Sequence, residues 1–428
     1  MSDTIFALSS GAAPAGIGVV RISGPSALRA GEALSGRLPE ARKAALRTLR
    51  SGEGEVLDRA LVLRFDGPQT ATGEDLVELH LHGGRAVVAA VEAELGAMDG
   101  LRRAEPGEFT RRALLNGRID LTEAEGLADL LEAETETARR AAIETSGGSV
   151  RRLTEGWTSE LVGLSAQVEA ELDHGDEEDV ATGKGDEVAA QCVLLADTIA
   201  AALNVPEVER IRDGVQVVLA GPPNAGKSTL LNRMVEREVA IVSPIAGTTR
   251  DRIEAAVQHE GIAFVFSDTA GIADATDDPI ETIGIERARE AVASADIVIW
   301  MDDADVPGDI FEKGLAVVAR CDVAGRPEMP ERLRVSGVTG EGVAELWQAL
   351  GERAKTLTPR LDGPLLNRRQ RALLRKAEGA LRSASSAVDP LLLAEELRVA
   401  RHALDRITGR ADIEAVLDGV FSRFCIGK

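Results

Sequence analysis

The chain has 428 residues, enough for two to four domains, and its 44% hydrophobic and 28% charged content is an ordinary globular mixture. A net charge of −22 argues against diffuse, non-specific attraction to nucleic acid and leaves room for local basic patches only. No apolar run approaches the roughly 18–20 residues of a membrane span. Met1-Ser2-Asp3-Thr4 lacks the regions of a signal peptide, and Cys192, Cys321 and Cys425 form no metal or disulfide pattern, so the expectation is a reduced, cytoplasmic protein.

From residue 1 to about 117, short strands mix with helices. Strands are predicted at Gly18–Ile22, Ala60–Phe65 and the alternating Leu76–His82, and a helix at Ala86–Leu95 after the Gly83-Gly84 turn. From about Leu121 to Ile211 the spacing is helical, interrupted by the acidic run Asp173–Asp179, which reads as a solvated turn rather than a calcium loop. Between 214 and about 355 strands alternate with helices, at Val215–Ala220, Ile253–Val257, Ala263–Phe266, Ile297–Met301, Leu315–Ala319 and Leu333–Ser336. That pattern implies a doubly wound, mostly parallel sheet. Helix returns after Pro359, through Arg368–Ser383, Leu391–Ile407 and Ile413–Phe421. Neither helical flank makes a comfortable bundle alone; one helical domain built from both, with the nucleotide domain inserted, is the simplest arrangement.

The basic residues are lopsided, 42 Arg against 7 Lys. Arg102-Arg103, Arg111-Arg112, Arg139-Arg140, Arg151-Arg152 and Arg368-Arg369-Gln370-Arg371 are candidate basic patches, and each also reads as a solvated helix face.

Gly221-Pro222-Pro223-Asn224-Ala225-Gly226-Lys227-Ser228 fits the G-x-x-x-x-G-K-[ST] phosphate loop and sits between a buried strand and a helix, the context the motif needs. Its backbone amides and helix N-terminus suit phosphate oxygens. Lys227 would reach the β- and γ-phosphates and Ser228 would hold Mg²⁺. The companions follow in order: Gly247-Thr248-Thr249-Arg250-Asp251, where a threonine completes the Mg²⁺ shell, and Asp268-Thr269-Ala270-Gly271, with Asp268 on the metal through water and the Gly271 amide at the γ-phosphate.

Motifs elsewhere carry a resemblance. Asp3-Thr4-Ile5, Gly18–Gly24, Thr72-Gly73-Glu74-Asp75, His82-Gly83-Gly84, Pro106–Ala113, Leu115–Leu121, Ala124–Leu130, Ile283-Gly284-Ile285-Glu286-Arg287 and the terminal Phe424-Cys425-Ile426-Gly427-Lys428 cover nearly the whole chain. Through them the sequence resembles the MnmE (TrmE) family of bacterial tRNA-modification GTPases. The resemblance implies a multidomain protein of α+β, all-α and α/β parts. These are a folate-binding, dimerising N-domain (1–117), a discontinuous helical domain (118–212 and 357–428) and an inserted Ras-like P-loop GTPase domain (213–356). It implies a homodimer that works on tRNA with the flavoprotein MnmG (GidA), adding a carboxymethylaminomethyl or aminomethyl group at C5 of wobble uridine 34. A methylene-tetrahydrofolate supplies the one-carbon unit; 5-formyl-tetrahydrofolate is the related ligand.

Nucleotide contacts carried over are Asn224, Ala225, Gly226, Lys227, Ser228 and Thr229; Ser243, Pro244, Ile245, Ala246, Gly247, Thr248 and Thr249; Asp268, Thr269, Ala270 and Gly271; and Asp322, Ser336 and Gly337. Mg²⁺ falls to Ser228 and Thr249, and K⁺ to Asn224, Ser243, Ile245 and Thr248. Glu281 matches the glutamate that orients the attacking water, although it also reads as one of several solvated acids after Asp277-Asp278. Arg21, Glu78, Arg118 and Lys428 are the folate contacts, Arg118 standing where the family usually has lysine. Cys425 is either a nucleophile or a packing residue.

Two departures bear on base selection and one on the second switch. The guanine motif Asn-Lys-x-Asp is Ala319-Arg320-Cys321-Asp322 here: Asp322 can accept from guanine N1 and N2, Arg320 can cover the base face, and Ala319 has no polar side chain. The Met301–Gly314 connection is short for a parallel crossover, so its usual helix must be nearly gone. Ala273 stands where many relatives carry arginine. GTP is expected over ATP, with weaker selectivity than usual. A K⁺-stimulated GTPase is the leading reading; a nucleotide-gated folate and tRNA scaffold with little or no hydrolysis is the alternative.

Overall fold

The computed structural model describes residues 3–174, 184–236, 239–240, 254–268, 290–308, 311–412 and 414–428. By packing the chain divides into two units: Met1–Ala128, Ser146–Thr158 and Arg401–Lys428; and Asp129–Thr145 with Ser159–Ala400. Among the described residues no helix is long and apolar enough to cross a membrane.

The first unit opens with β1 (Thr4–Leu8), β2 (Ile17–Ser23), α1 (Ala27–Ser35), β3 (Ala45–Arg50), β4 (Val56–Phe65), β5 (Leu76–His82), α2 (Arg85–Gly96), β6 (Leu101–Arg103), α3 (Glu108–Leu115) and α4 (Leu121–Glu132). The strands form one sheet in the order β3-β4-β5-β2-β1-β6, antiparallel except for β1 beside β6. Alternation decides its faces. Val20, Ile22, Val77, Leu79 and Leu81 point to a core closed by Ala27, Ala30 and Leu34 of α1 and Val88, Val91 and Leu95 of α2. Arg21 and Glu78, paired across β2 and β5, take the opposite parity and face away from it.

Several motif residues in this unit serve the fold. Arg112 of α3 has no exposed surface and bonds the Asp3 carbonyl (3.0 Å), the Asp3 carboxylate (3.1 Å), Glu74 (3.1 Å) and Glu108 (3.0 Å). A buried guanidinium is tolerable only with partners such as these, which take both terminal nitrogens and leave the Nε without one. Burial raises the Glu108 carboxyl's cost of ionising, yet hydrogen bonds from Arg102, the Glu105 amide and Arg112 outweigh it and hold its pKa below the ordinary value. Ser23 and Thr72 share a hydrogen bond of 2.7 Å, and Ser23 donates to Glu74 at 2.8 Å. The Asp3, Thr72–Glu74 and Pro106–Arg112 motifs therefore meet in one polar knot.

The second unit holds α5 (Glu136–Ser146), α6 (Ser149–His174, shared with the first), α7 (Lys184–Leu203), α8 (Glu209–Arg212), β7 (Val215–Ala220), α9 (Lys227–Val235), β8 (Val239–Ala240), β9 (Glu254–His259), β10 (Ile262–Asp268), β11 (Ile297–Trp300), β12 (Gly314–Ala319), β13 (Leu333–Val335), α10 (Val343–Leu357), α11 (Arg368–Ser385) and α12 (Pro390–Thr408, also shared). The sheet order is β13-β12-β11-β7-β10-β9-β8; the five strands from β13 to β10 are parallel, β9 pairs antiparallel with β10, and β8 antiparallel with β9. One face carries α9 and α10: Leu230, Leu231, Met234, Leu346, Trp347 and Leu350 bury against Val217, Phe264, Phe266, Ile299 and Val317. Trp347 meets Phe264 and Phe266 edge-on at 5.4 and 5.5 Å between ring centroids. The other face carries Ala291 and Ala295 against Val218 and Val298.

No α-helix occupies the described residues of 301–314, in line with the short connection. Arginines from the next crossover pin this segment instead: Arg326 grips the Asp303 carboxylate with two bonds of 3.0 and 2.7 Å, and Arg332 donates to the Asp302 carbonyl at 2.7 Å. α11 starts at a capping box in which Asn367 accepts from the Gln370 amide (2.9 Å) and Gln370 from the Asn367 amide (3.1 Å). Arg371 donates to the carbonyls of Leu203 and Val205 at 2.6 Å each, satisfying orphan acceptors at the end of α7.

The chain's end rejoins the first unit. α13 (Glu414–Phe421) packs Leu417, Val420 and Phe421, with Phe424, against Leu114 and Leu121 of α3 and α4. The last residues lie along the start of α3: Ile426 bridges Pro106, the Gly107 amide donates to the Cys425 carbonyl (3.4 Å), and the Phe109 amide donates to the main-chain oxygen of Lys428 (3.2 Å). Negative charge at a helix N-terminus is favourable. Gly427 has φ +95°, and a Cβ there would sit 2.1 Å from the Leu8 carbonyl oxygen, so only glycine fits. Gly427→Ala should therefore release the tail: carboxypeptidase trimming of the last residues should speed up at least tenfold, the effect of about 1.4 kcal/mol of local destabilisation, and an unchanged rate would contradict the docking.

Candidate functional site

β7 lies at the centre of the second unit's sheet, between β10 and β11, and its C-terminal end feeds the loop Gly221–Ser228. Ligands of open parallel sheets bind at that edge. The loop turns back on itself, with Asn224 at φ 61° and Gly226 at φ 92°, and α9 starts at Lys227. Lys227 is 6% exposed; its ammonium donates to the carbonyls of Gly221 (2.9 Å) and Pro222 (3.0 Å). Ser228 follows in the first turn of α9.

A cleft of about 820 Å³ opens over this loop. Its floor is Asn224 to Thr229, its walls Met301, Ala319, Arg320, Asp322 and Gly337, with Val323 and Val338 at the rim. The structure thus brings the predicted residues Asn224, Ala225, Gly226, Lys227, Ser228, Thr229, Asp322 and Gly337 together. Arg320 adopts φ 56° and donates to the Asn224 carbonyl at 3.2 Å, tying the loop after β12 to the phosphate loop. Ala319 is 2% exposed and presents only a methyl group. Cys321 sits behind it: burial, with the negative charge of Glu341, pushes its thiol above the ordinary value, so it stays neutral.

Ser336 does not line the cleft. It is fully buried, and its hydroxyl accepts from the amides of Val338 (3.2 Å) and Thr339 (3.1 Å), shaping the turn that offers Gly337. Asp268 ends β10, paired with Leu219 of β7. Ser243, Pro244, Ile245, Ala246, Gly247, Thr248, Thr249, Thr269, Ala270, Gly271, Ala273 and Glu281 lie outside the described residues, as does the acidic run beyond His174. Met301, Val323 and Val338 line the cleft without having been singled out in the sequence; their signal was position, immediately after β11, after Asp322 and after Gly337.

The remaining predicted residues lie in the first unit. Arg21 donates to one Glu78 oxygen through Nε (3.1 Å) and Nη2 (2.9 Å) and sits 5.6 Å from the Phe109 ring centre. Lys428 bonds the Phe109 amide through its main-chain oxygen, so Arg21, Glu78 and Lys428 are all linked to one short stretch of structure. Arg118 is held at the Thr70 carbonyl (3.1 Å) and the Gln69 side chain (3.2 Å), with no contact to that group among those described. The Cys425 side chain is exposed. Among the described residues no group of three or more His, Cys, Asp or Glu side chains could hold a metal ion.

Comparison with known proteins agrees along the whole chain. A family model described as the MnmE helical domain matches residues 121–425, and one described as the GTP-binding protein TrmE N-terminus matches 4–118. The protein of Erythrobacter litoralis called tRNA modification GTPase MnmE is 55% identical over 432 residues, covering 100% of both chains. The protein of the same name from Rhizorhabdus wittichii is 53% identical, covering 100% of this chain and 97% of its own, and that from Zymomonas mobilis 48%, covering 99% and 100%.

The cleft's closure depends on one close approach: a Cβ on Gly337 would lie 2.7 Å from the Leu230 amide of α9. Gly337→Ala should push the turn outward and weaken guanosine nucleotide binding about tenfold, or about 1.4 kcal/mol, in a calorimetric titration; an unchanged affinity would remove this turn from the site.

Proposed function

The chain belongs to the MnmE family of tRNA modification GTPases, and on that premise we propose that it hydrolyses GTP in the cleft over Gly221–Ser228 to drive tRNA modification. The observation that carries the reading is the convergence of the phosphate loop, Asp322 and Gly337 on a single cleft in a chain whose relatives match it end to end.

In this reading the triphosphate lies against the loop amides and the N-terminus of α9. Lys227, now on two main-chain carbonyls, is close enough to exchange them for phosphate oxygens of higher charge. The Ser228 hydroxyl, at the cleft floor, fits a hard cation, so Ser228 with Thr249 would hold Mg²⁺. Asn224, a neutral oxygen donor on the same floor, fits K⁺, with Ser243, Ile245 and Thr248 completing its shell. When bound, these ions neutralise charge that builds on the phosphates. Glu281 orients the attacking water. Asp322 selects guanine through its N1 and N2 protons, and Ala319 leaves the base without one side-chain contact.

The wider reading is a homodimer acting with the flavoprotein MnmG on wobble uridine 34 of tRNA. Arg21, Glu78, Arg118 and Lys428 serve a tetrahydrofolate: Arg21 and Lys428 suit its carboxylates, Glu78 its pterin donors. Arg21 and Glu78 already neutralise one another, so a ligand that breaks this pair has to bring an anionic group for Arg21 and N–H donors for Glu78. Among Cys425's two readings, its exposure suits a reacting thiol. The methyl group of Ala319 favours a second reading, a nucleotide-gated scaffold that presents folate and tRNA and hydrolyses little.

Deleting the gene should abolish the wobble-uridine modification in a nucleoside analysis of bulk tRNA; unchanged uridines would end the reading. GTP should outbind ATP in calorimetry, and single-turnover hydrolysis should be faster in KCl than in NaCl. Equal nucleotide affinities would overturn the guanine assignment, and equal rates would favour the scaffold.

A further inference from the structure

α11 departs from the rest of this acidic chain. Its 18 residues carry six cationic side chains, Arg368, Arg369, Arg371, Arg375, Lys376 and Arg382, and one acid, Glu378. Three of the arginines fall in its first turn, where no acid is present and the helix's own dipole disfavours positive charge. Arg371 has a structural reason to be there, capping the end of α7.

The helix's burial pattern separates two faces. Gln370, Arg371, Leu374, Ala377, Leu381 and Ala384 are buried. Arg368, Ala372, Arg375, Lys376, Gly379 and Arg382 face outward, at spacings that place them in one stripe. Arg368, Arg375 and Arg382 recur every seven residues, about 10 Å apart along the axis. Between them in the stripe stand Lys376, a further cation, and Ala372 and Gly379, which keep the surface low. Arg368 pairs with Glu207 (3.0 Å) and Arg382 with Glu378 (2.9 Å) and Asp197 (3.1 Å). Arg375 and Lys376 have no ion-pair partner among the described residues, and Lys376 is one of only seven lysines. Like charge crowds the same spot: Arg371 has its pKa lowered, first by burial, with the neighbouring charges of Arg375 and Arg210 acting in the same direction.

Resting on the reading of the chain as a tRNA-modifying protein, we propose that the exposed stripe of α11, centred on Arg375 and Lys376, docks the phosphate backbone of the tRNA substrate. A row of cations with small residues between them suits a continuous polyanion that must come close to the helix. It gives position rather than base selection, because phosphates carry no sequence information. An overall charge of −22 would otherwise repel RNA, so a local strip is where contact must concentrate.

The test is tRNA binding by the full chain across a range of salt. The variant is Arg375→Gln with Lys376→Gln, which leaves the helix's buried face and its capping box intact. The double variant should bind tRNA about tenfold more weakly at about 0.1 M salt, and its salt slope should fall by about two, one for each phosphate that is no longer neutralised. Its GTP turnover without tRNA should match the parent. Arg360→Gln, at another exposed cation paired with Asp362, should leave both affinity and slope unchanged. If the double variant matches the parent in affinity and slope, the docking surface is wrong and the family reading stands; that holds equally if tRNA binding is unchanged and only a protein partner is lost. If the parent itself retains no tRNA at low salt, the docking surface and the chain's direct handling of tRNA fall together, while GTP turnover would still stand.

Discussion

Everything at the nucleotide cleft depends on where one ammonium group is held. Lys227 is almost fully enclosed, and its charge is met by two main-chain carbonyls at the end of β7. A lysine buried this far needs such partners, because the cost of an unpaired charge is large. The same bonds tie the end of the glycine loop back to its start. β7 is flanked by parallel strands on both sides, and α9 is fixed by Leu230, Leu231 and Met234, so neither end of the loop is free to drift. The loop after β12 joins this frame through Arg320 on Asn224, and the turn after β13 through the contact of Gly337 with α9. Two segments distant in sequence are thus referred to the phosphate loop and the helix that follows it.

The first unit solves a different problem. Its polar knot around Arg112 gathers residues from the start of the chain, the loop before β5 and α3. Pairing at both terminal nitrogens of Arg112 makes such a knot specific, since losing either set of partners would strand a buried charge. The terminal residues are then laid beside α3 by main-chain bonds, with Gly427 passing Leu8 at a distance no side chain permits. The family's terminal motif therefore has a packing reason at its glycine, separate from whatever Cys425 and Lys428 do.

Much of this is legible in the sequence. The predicted strand Leu76–His82 is the observed span of β5, because one buried face produces strict alternation. β7 and α9 are legible from the phosphate loop between them. The edge strands β3 and β6 are not, since Arg47, Arg50, Arg102 and Arg103 break the apolar pattern that a half-buried strand would show. Pairing partners are also out of reach: the sequence offers Arg21 and Glu78 as separate charges, and only the cross-strand register joins them. Ser336 is expected at the nucleotide through its main chain, and what the sequence does not announce is that its hydroxyl is engaged inside its own turn.

In the proposed function, Lys227 is the group that makes this loop a triphosphate site. Titrating the full chain with a non-hydrolysable GTP analogue, in magnesium and potassium, tests it most directly against Lys227→Ala with an unaltered circular dichroism spectrum. Losing charge-assisted hydrogen bonds, about 1.5–3 kcal/mol each, should weaken binding at least about a hundredfold. Equal affinity in the two proteins, or no binding by the parent, would contradict it.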